Sequence, residues 1–293
     1  MNHRKTIICA LALVFVGQGN AQFGLFSREQ RLDYTQAWTG ERFEDGRPKV
    51  PDSILKRMKT VSAEEAWGVL RQAQYTNQFT RGWRQFNTDK SRLAGRVVTA
   101  RFMPLRPDVN EVIKKHAQQE GRIGPGQQSW VIDTLVPGDV FVADLYGKVV
   151  VIGDNLATSI LTKSKNGVVI NGGIRDLTGM ARIEGFSAYY KVADPGVFEN
   201  CMLVGLNVPI RIGETTIMPG DVALGDPEGV MFIPPQLAEK VVTTAERIHD
   251  VDDWGHQMLR EGRYTPGQID SKWSPQMEAE FKQWLEKRKS AGR

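Results

Sequence analysis

From Arg96 onward the chain alternates short apolar, β-branched runs with stretches of helical periodicity, and this alternation restricts the fold more than any other feature. Val97-Val98-Thr99-Ala100-Arg101-Phe102, Val140 to Ala143, Val149 to Ile152, Gly167 to Asn171, Ala188 to Val192, Val208 to Ile212 and Val230 to Ile233 read as strands. Asp108 to Gln119 and Leu156 to Lys163 read as helices between them. Val168-Val169-Ile170 is β-branched throughout, which marks a buried strand. The pattern predicts an α/β layer fold. Hydrophobic residues at 41% and charged residues at 25% are ordinary for a globular chain and permit a sizeable core.

An internal echo sharpens the architecture. Pro137-Gly138-Asp139-Val140 is followed by Asp144 and Gly147, and Pro219-Gly220-Asp221-Val222 by Asp226 and Gly229 at the same spacing. Pro-Gly and Asp-x-x-Gly are turn chemistry, so each copy predicts turn, strand, tight turn and strand in a hairpin-like unit. The flanks differ in character. Residues 22–57 are polar and irregular, with Gly46-Arg47-Pro48-Lys49-Val50-Pro51 an extended strap. Ser62 and Glu65 form a capping box ahead of Ala66, Trp67, Val69 and Leu70. From about Thr243 the chain is helical and charged. Ser274 and Pro275 open a helix whose Met277, Phe281, Trp284 and Leu285 make an amphipathic stripe for packing on this or a neighbouring subunit.

The first residues have a different purpose. Arg4 and Lys5 precede an apolar run from Thr6 to Val16, and small or polar residues from Gly17 to Ala21 follow. This is the layout of a secretory signal peptide cut before Gln22, and the run is well short of the ~20 residues that cross a bilayer. The expectation is an exported protein, periplasmic or secreted, without a membrane span after cleavage. Cleavage removes Cys9 and leaves Cys201 alone, so the mature chain forms no internal disulfide. It also removes two positive charges from a net +4, leaving +2, too little and too dispersed for nucleic acid.

Several familiar catalytic devices are absent. The sequence has no nucleotide-binding glycine loop with the right flanks, no methyl-donor glycine motif, no nucleophile elbow and no cysteine–histidine metal spacing. His249 and His256 lie among Asp250, Asp252 and Asp253 on what reads as a solvated helix face. The informative segment is Gly153-Asp154-Asn155-Leu156-Ala157, followed by Asn166-Gly167-Val168-Val169-Ile170-Asn171-Gly172-Gly173-Ile174-Arg175-Asp176. A turn into a helix exposes backbone N–H groups to a carboxylate or phosphate. A buried strand followed by two glycines lets the chain turn closely and end in a cation beside an anion. Arg175 can hold a carboxylate or an enolate oxygen, and Asp176 suits Mg²⁺ or Mn²⁺. On pattern alone, an ion pair capping the sheet accounts for Arg175-Asp176 equally well.

At these residues the chain resembles the RraA-like proteins, which include 4-hydroxy-4-methyl-2-oxoglutarate aldolases. The likeness runs from roughly Ser62 to Val242. It takes in Gly153-Asp154-Asn155-Leu156-Ala157, the glycine-ended strand before Arg175-Asp176, Asn207-Val208-Pro209, Pro219-Gly220-Asp221, and Asp226 to Pro234. The resemblance implies a compact α/β/β sandwich that assembles as a homotrimer or hexamer, with sites near subunit contacts. The expected organisation is a leader at 1–21, an N-terminal strap at 22–57, the domain at 58–242 and a C-terminal helical extension at 243–293.

By the same resemblance, Gly153, Asp154, Asn155 and Leu156 present backbone to a 2-keto acid carboxylate, Arg175 binds the keto acid, and Asp176 holds the metal, partly through water. The implied activity is a metal-dependent lyase of the aldolase or oxaloacetate-decarboxylase type, because both reactions pass through a stabilised pyruvate enolate. Two alternatives stand beside it: a non-catalytic regulator that binds a ribonuclease, and an exported lyase acting on a sugar-derived substrate. The sequence departs from the aldolase pattern at one place. Members with that activity carry Glu or Asp three residues after the metal-binding Asp, where this chain has Gly179. Glu184 or an acid from a neighbouring subunit are the candidates to stand in.

Overall fold

The computed structural model describes residues 26–87, 92–124, 126–147 and 149–290, so the leader lies outside the described residues. The strands are β1 (Phe79–Thr80), β2 (Arg84–Asn87), β3 (Ala94–Pro104), β4 (Asp139–Asp144), β5 (Val150–Ile152), β6 (Val168–Ile174), β7 (Ser187–Ala193), β8 (Cys201–Leu206), β9 (Ile210–Ile212), β10 (Thr215–Ile217), β11 (Val222–Asp226) and β12 (Gly229–Ile233). The α-helices are α1 (Arg28–Tyr34), α2 (Asp52–Met58), α3 (Ala63–Gln72), α4 (Pro107–Gln119), α5 (Gln127–Ile132), α6 (Asp154–Ser164), α7 (Leu177–Met180), α8 (Ala238–Arg260), α9 (Pro266–Ile269) and α10 (Pro275–Ser290).

One mixed sheet runs in the order β1-β12-β11-β3-β4-β6-β7-β2, with β5 beside the end of β6 and β8 beside the end of β3. β3, β4, β6 and β7 are mutually parallel, and β11 joins β3 antiparallel. The sequence shows why this centre is interior. Val98, Phe141, Ala143, Val168 and Ile170 face one apolar cluster, shared with Trp130 of α5 and Ala157 and Ile160 of α6. Their neighbours Val97, Val140, Val142 and Val169 face another, closed by Ile210, Ile212 and Ile217 from the β9–β10 hairpin. Strands apolar on both faces are buried on both. A third cluster packs α2, α3 and α8 on β11 and β12. The expected α/β architecture is present.

Several local expectations change. Residues 22–57 are not irregular throughout: Ser27 and Gln30 form a capping box that starts α1, and Pro51 precedes α2. The strap between these helices is held by Arg47, whose guanidinium lies 2.9 Å from the buried carboxylate of Asp139. Gly172 and Gly173 do not turn the chain, because β6 continues through them to Ile174. They are needed for closeness: a Cβ on Gly172 would sit 2.7 Å from the Val149 carbonyl oxygen, and one on Gly173 2.9 Å from Val150 Cγ2.

The repeated motif gives equivalent turns but only one hairpin. Gly138 and Gly220 adopt φ of 87° and 90°, and both following aspartates accept a hydrogen bond from the backbone three residues earlier. β11 and β12 then pair antiparallel. β4 and β5 instead follow one another along β6, both parallel to it. β5 leads instead directly through Gly153 into α6.

At the C-terminus the stripe folds back on its own chain. Trp254, Met258 and Met277 are buried together, with Tyr264, Ile269, Trp273, Phe281 and Trp284 packed around them. Among the described residues no helix is long and apolar enough to cross a membrane.

Candidate functional site

Two strand ends meet at one place. β6 finishes at Ile174, and the Arg175 amide donates to the Ile152 carbonyl at 2.9 Å, tying it to the end of β5. Asp176 follows in the left-handed conformation, at φ 57° and ψ 39°, and its carbonyl accepts from the Met180 amide at 2.9 Å to start α7. That conformation costs a non-glycine residue ~1 kcal/mol, and aspartate tolerates it better than most. The turn throws the side chains back onto the β5–α6 junction. A Cβ on Gly153 would lie 2.6 Å from Asp176 Oδ2 and 3.1 Å from Arg175 Nε. Gly153 has φ −120°, so closeness rather than backbone freedom calls for glycine here.

Arg175 Nε and Asp176 Oδ2 are 3.4 Å apart, with side chains 40% and 47% exposed. A pair so open to water contributes ~0–1 kcal/mol. The backbone therefore sets the geometry, and both groups are free to engage a ligand. Beside them α6 starts without a side-chain cap from Gly153. Its first-turn amides and the positive end of its dipole favour an anion.

A small cavity of about 70 Å³ lies over this junction. Its polar wall is the Gly153–Leu156 segment, Arg175 and Gln128, and its apolar wall is Val150, Val151, the Leu156 side chain and Phe198. Asp176 stands just outside that wall, against Gly153.

Asp154 explains the departure at position 179. A Cβ on Gly179 would lie 2.9 Å from Asp154 Oδ2. The Asp154 carboxylate thus fills the space into which a side chain at 179 would project. Its Oδ1 accepts from the Asn155 amide at 2.8 Å. Glu184 is exposed and is not part of the cavity. Facing segments 153–154 and 176–179 therefore bring two carboxylates, Asp154 and Asp176, to one junction. No group of three or more His, Cys, Asp or Glu that could hold a metal occurs among the described residues. A pair of carboxylates with water completing the shell is a donor set that fits Mg²⁺ or Mn²⁺, and it does not fit a site built of nitrogen and sulfur ligands.

Other candidates fall away. His249 Nε2 sits 2.8 Å from Glu65 Oε1, pinning α8 to the start of α3 rather than facing a ligand. Cys201 is buried in β8, and burial pushes its thiol up to about 12, which leaves no thiolate for nucleophilic attack. The sequence reading missed Gln128 and Phe198. Neither lies in a motif, and only the folded chain brings α5 and the 198 loop against β5.

The family model RraA-like (Aldolase/RraA) matches residues 58–232. A provisionally named 4-hydroxy-4-methyl-2-oxoglutarate aldolase from Halalkalibacterium halodurans is 31% identical over 113 residues, which is 38% of this chain and 53% of that protein. The chain thus spans about half the length of this curated relative. Among solved structures, Streptomyces coelicolor RraAS2, described as an unusual member of the RNase ES inhibitor RraA family, superposes with a TM-score of 0.59 at 22% identity, over 73% of this chain and 99% of that one. An uncharacterized protein from Pseudomonas syringae pv. tomato superposes at 0.60 with 20% identity, over 79% and 98%. At such identities the structural likeness is one of fold. With the family model covering more than half of its length, the chain belongs to the RraA-like family.

Proposed function

We propose that this junction is the active site of a divalent-metal-dependent lyase that breaks the C–C bond next to a 2-keto acid, of the aldolase or oxaloacetate-decarboxylase type. The observation that carries the reading is the placement of Arg175 and Asp176 against Gly153, at the uncapped start of α6. Within the Gly153–Leu156 segment, the amides other than that of Asn155, which Asp154 Oδ1 already takes, bind the substrate carboxylate. Arg175 faces the 2-oxo oxygen, where negative charge develops as the bond breaks. Asp154 takes the proton of the 4-hydroxyl group, the C3–C4 electron pair moves toward C2, and the carbonyl product leaves. The proton then returns to C3 and gives pyruvate. With oxaloacetate the departing group is carbon dioxide and the same enolate is protonated. Asp176, with Asp154 on the facing segment, would hold Mg²⁺ or Mn²⁺, which would supply a Lewis acid for the 2-oxo group.

The reading includes export after cleavage near Ala21, assembly as a homotrimer or hexamer, and the division into strap, 58–242 domain and C-terminal extension. The competing reading is a ribonuclease-binding regulator, favoured by the description of RraAS2.

Pyruvate release from 4-hydroxy-2-keto acids and oxaloacetate, measured with and without Mg²⁺ or Mn²⁺, is the test. Turnover is expected with metal. It should be lost in Asp176→Ala with the fold retained, because Asp176 is half-exposed and carries little packing. Full activity in that variant or in excess chelator overturns the proposal, and salt-sensitive ribonuclease binding by an inactive chain supports the competitor.

A further inference from the structure

A second cavity, of about 440 Å³, lies at the end of α6 away from the junction. Three segments remote in sequence each bring a cation to its wall: Lys59 after α2, Arg92 before β3 and Lys165 after α6. Leu93, Leu161 and Asn166 line it beside them. Lys59 and Lys165 are exposed and enter no ion pair with a described residue. Arg92 is oriented from behind, since its guanidinium donates to the carbonyls of Thr60 and Val61. The Asp226 carboxylate lies 3.8 Å from it. Three cations less that one carboxylate still leave the described surroundings at +2.

The α6 dipole does not account for this gathering of charge. Its C-terminal end amounts to about half a negative charge, enough to favour one cation. That end is also partly satisfied already, because the Lys165 and Gly138 amides donate to the Leu161 and Ser164 carbonyls at 2.9 and 2.8 Å. Lys165 carries a further mark. It adopts the left-handed conformation, φ 56° and ψ 29°, at a C-cap where glycine is the usual residue because it lacks a Cβ. A long cationic side chain is kept there at some cost to the fold, and strain of this kind gathers where ligands bind.

We infer that this cavity binds a phosphate-type dianion, either free phosphate or the head of a small phosphorylated molecule. Arg92 offers its remaining N–H groups in a fixed orientation, and the two lysines add charge. The eleven residues of α6 hold this cavity about 16 Å from the junction, so the two sites can be filled independently. The binding of phosphate here does not depend on the lyase reading.

The test measures binding of inorganic phosphate, glycerol phosphate and acetate to the full chain by calorimetry at constant ionic strength. Both phosphates should bind at least about tenfold more tightly than acetate, which brings one charge instead of two. The tighter of the two phosphates identifies the form that the cavity takes. Added salt should weaken the binding. Lys59→Gln combined with Lys165→Gly should raise Kd for phosphate at least about tenfold. Lys165→Gly alone should leave the melting temperature of the ligand-free chain equal or higher, because glycine suits that backbone. A lysine kept only as a helix cap would give a lower one. Arg175→Gln controls for an anion at the other end of α6 and should leave phosphate affinity unchanged. Absence of phosphate binding, or acetate binding as tight, overturns the inference. So does an affinity that survives the double lysine change but is lost in Arg175→Gln.

Discussion

Replacing Gly153 with alanine tests the junction by adding one carbon where the geometry leaves no room. The backbone there, φ −120° and ψ −171°, is open to any residue, so alanine imposes no conformational strain. The new Cβ would stand 2.6 Å from Asp176 Oδ2, whereas a relaxed contact needs about 3.5 Å. The carboxylate must therefore retreat by on the order of 1 Å, and a misplacement of that size costs ~100-fold in rate. That corresponds to about 2.7 kcal/mol of transition-state stabilisation. Arg175 Nε, at 3.1 Å from the same point, is displaced less, so the loss should fall mainly on kcat and on the metal concentration needed for activation. Stability should change little: glycine to alanine at a helix N-cap costs roughly 1 kcal/mol, or about 2–4 °C in melting temperature for a domain of this size. The assay is the initial rate of pyruvate formation over a Mg²⁺ titration, with thermal unfolding as the control. A folded Gly153→Ala protein with wild-type kcat/KM and unchanged Mg²⁺ dependence would refute the assignment of Asp176 to the reaction.

Two further predictions concern buried groups away from the cavity. Burial raises the Asp221 carboxyl to about 8, only partly offset by the hydrogen bond from the Met218 amide. A carboxyl that keeps its proton in the folded state and loses it on unfolding makes stability fall as pH rises between the unfolded value near ~4 and about 8, by up to ~1.4 kcal/mol per pH unit. Asp221→Asn should flatten that decline in denaturant unfolding measured from pH 5 to 8, and an unchanged slope would contradict it. Cys201, buried with its thiol pushed up to about 12, should resist thiol reagents at pH 8 in the native protein and react fully once unfolded. Rapid native labelling would show that β8 opens more readily than its packing implies.

The sheet was legible in the sequence because burial on both faces leaves no freedom in residue choice. The apolar runs at 97–98, 140–142 and 168–170, rich in β-branched residues, favour an interior strand, and they form β3, β4 and β6. The capping box at Ser62 and Glu65 was equally plain, because it is local chemistry that needs no tertiary partner. What the sequence concealed depends on partners far along the chain. α2 is short, without a side-chain cap, and rests on remote contacts such as Ile54 and Leu55 against α8, whereas α1, held by Arg31 on the Asn207 carbonyl, also carries a local Ser27–Gln30 capping box that the sequence reading passed over. The glycines before Arg175 read as a turn, since a glycine needed for closeness looks identical in sequence to one needed for bending. Arg175 and Asp176 announced themselves by adjacency and by their place after a buried strand. Gln128 could not, because only the folded chain sets it in the cavity wall.

Gly179 shows how such a concealed contact can change the interpretation of a sequence difference. Read along the chain, a glycine at the place of an expected acid looks like a lost catalytic group. In the fold, the carboxylate of Asp154 already reaches to within 2.9 Å of where a side chain at 179 would begin. A side chain at 179 would require that carboxylate to shift. A negatively charged residue at 179 would also set two carboxylates against each other beside Asp176, and like charges at such range disfavour ionisation of one of them. With glycine at 179, the Asp154 carboxylate lies in that space, next to the start of α6. A carboxylate is therefore still present at the junction, on its α6 side rather than its α7 side.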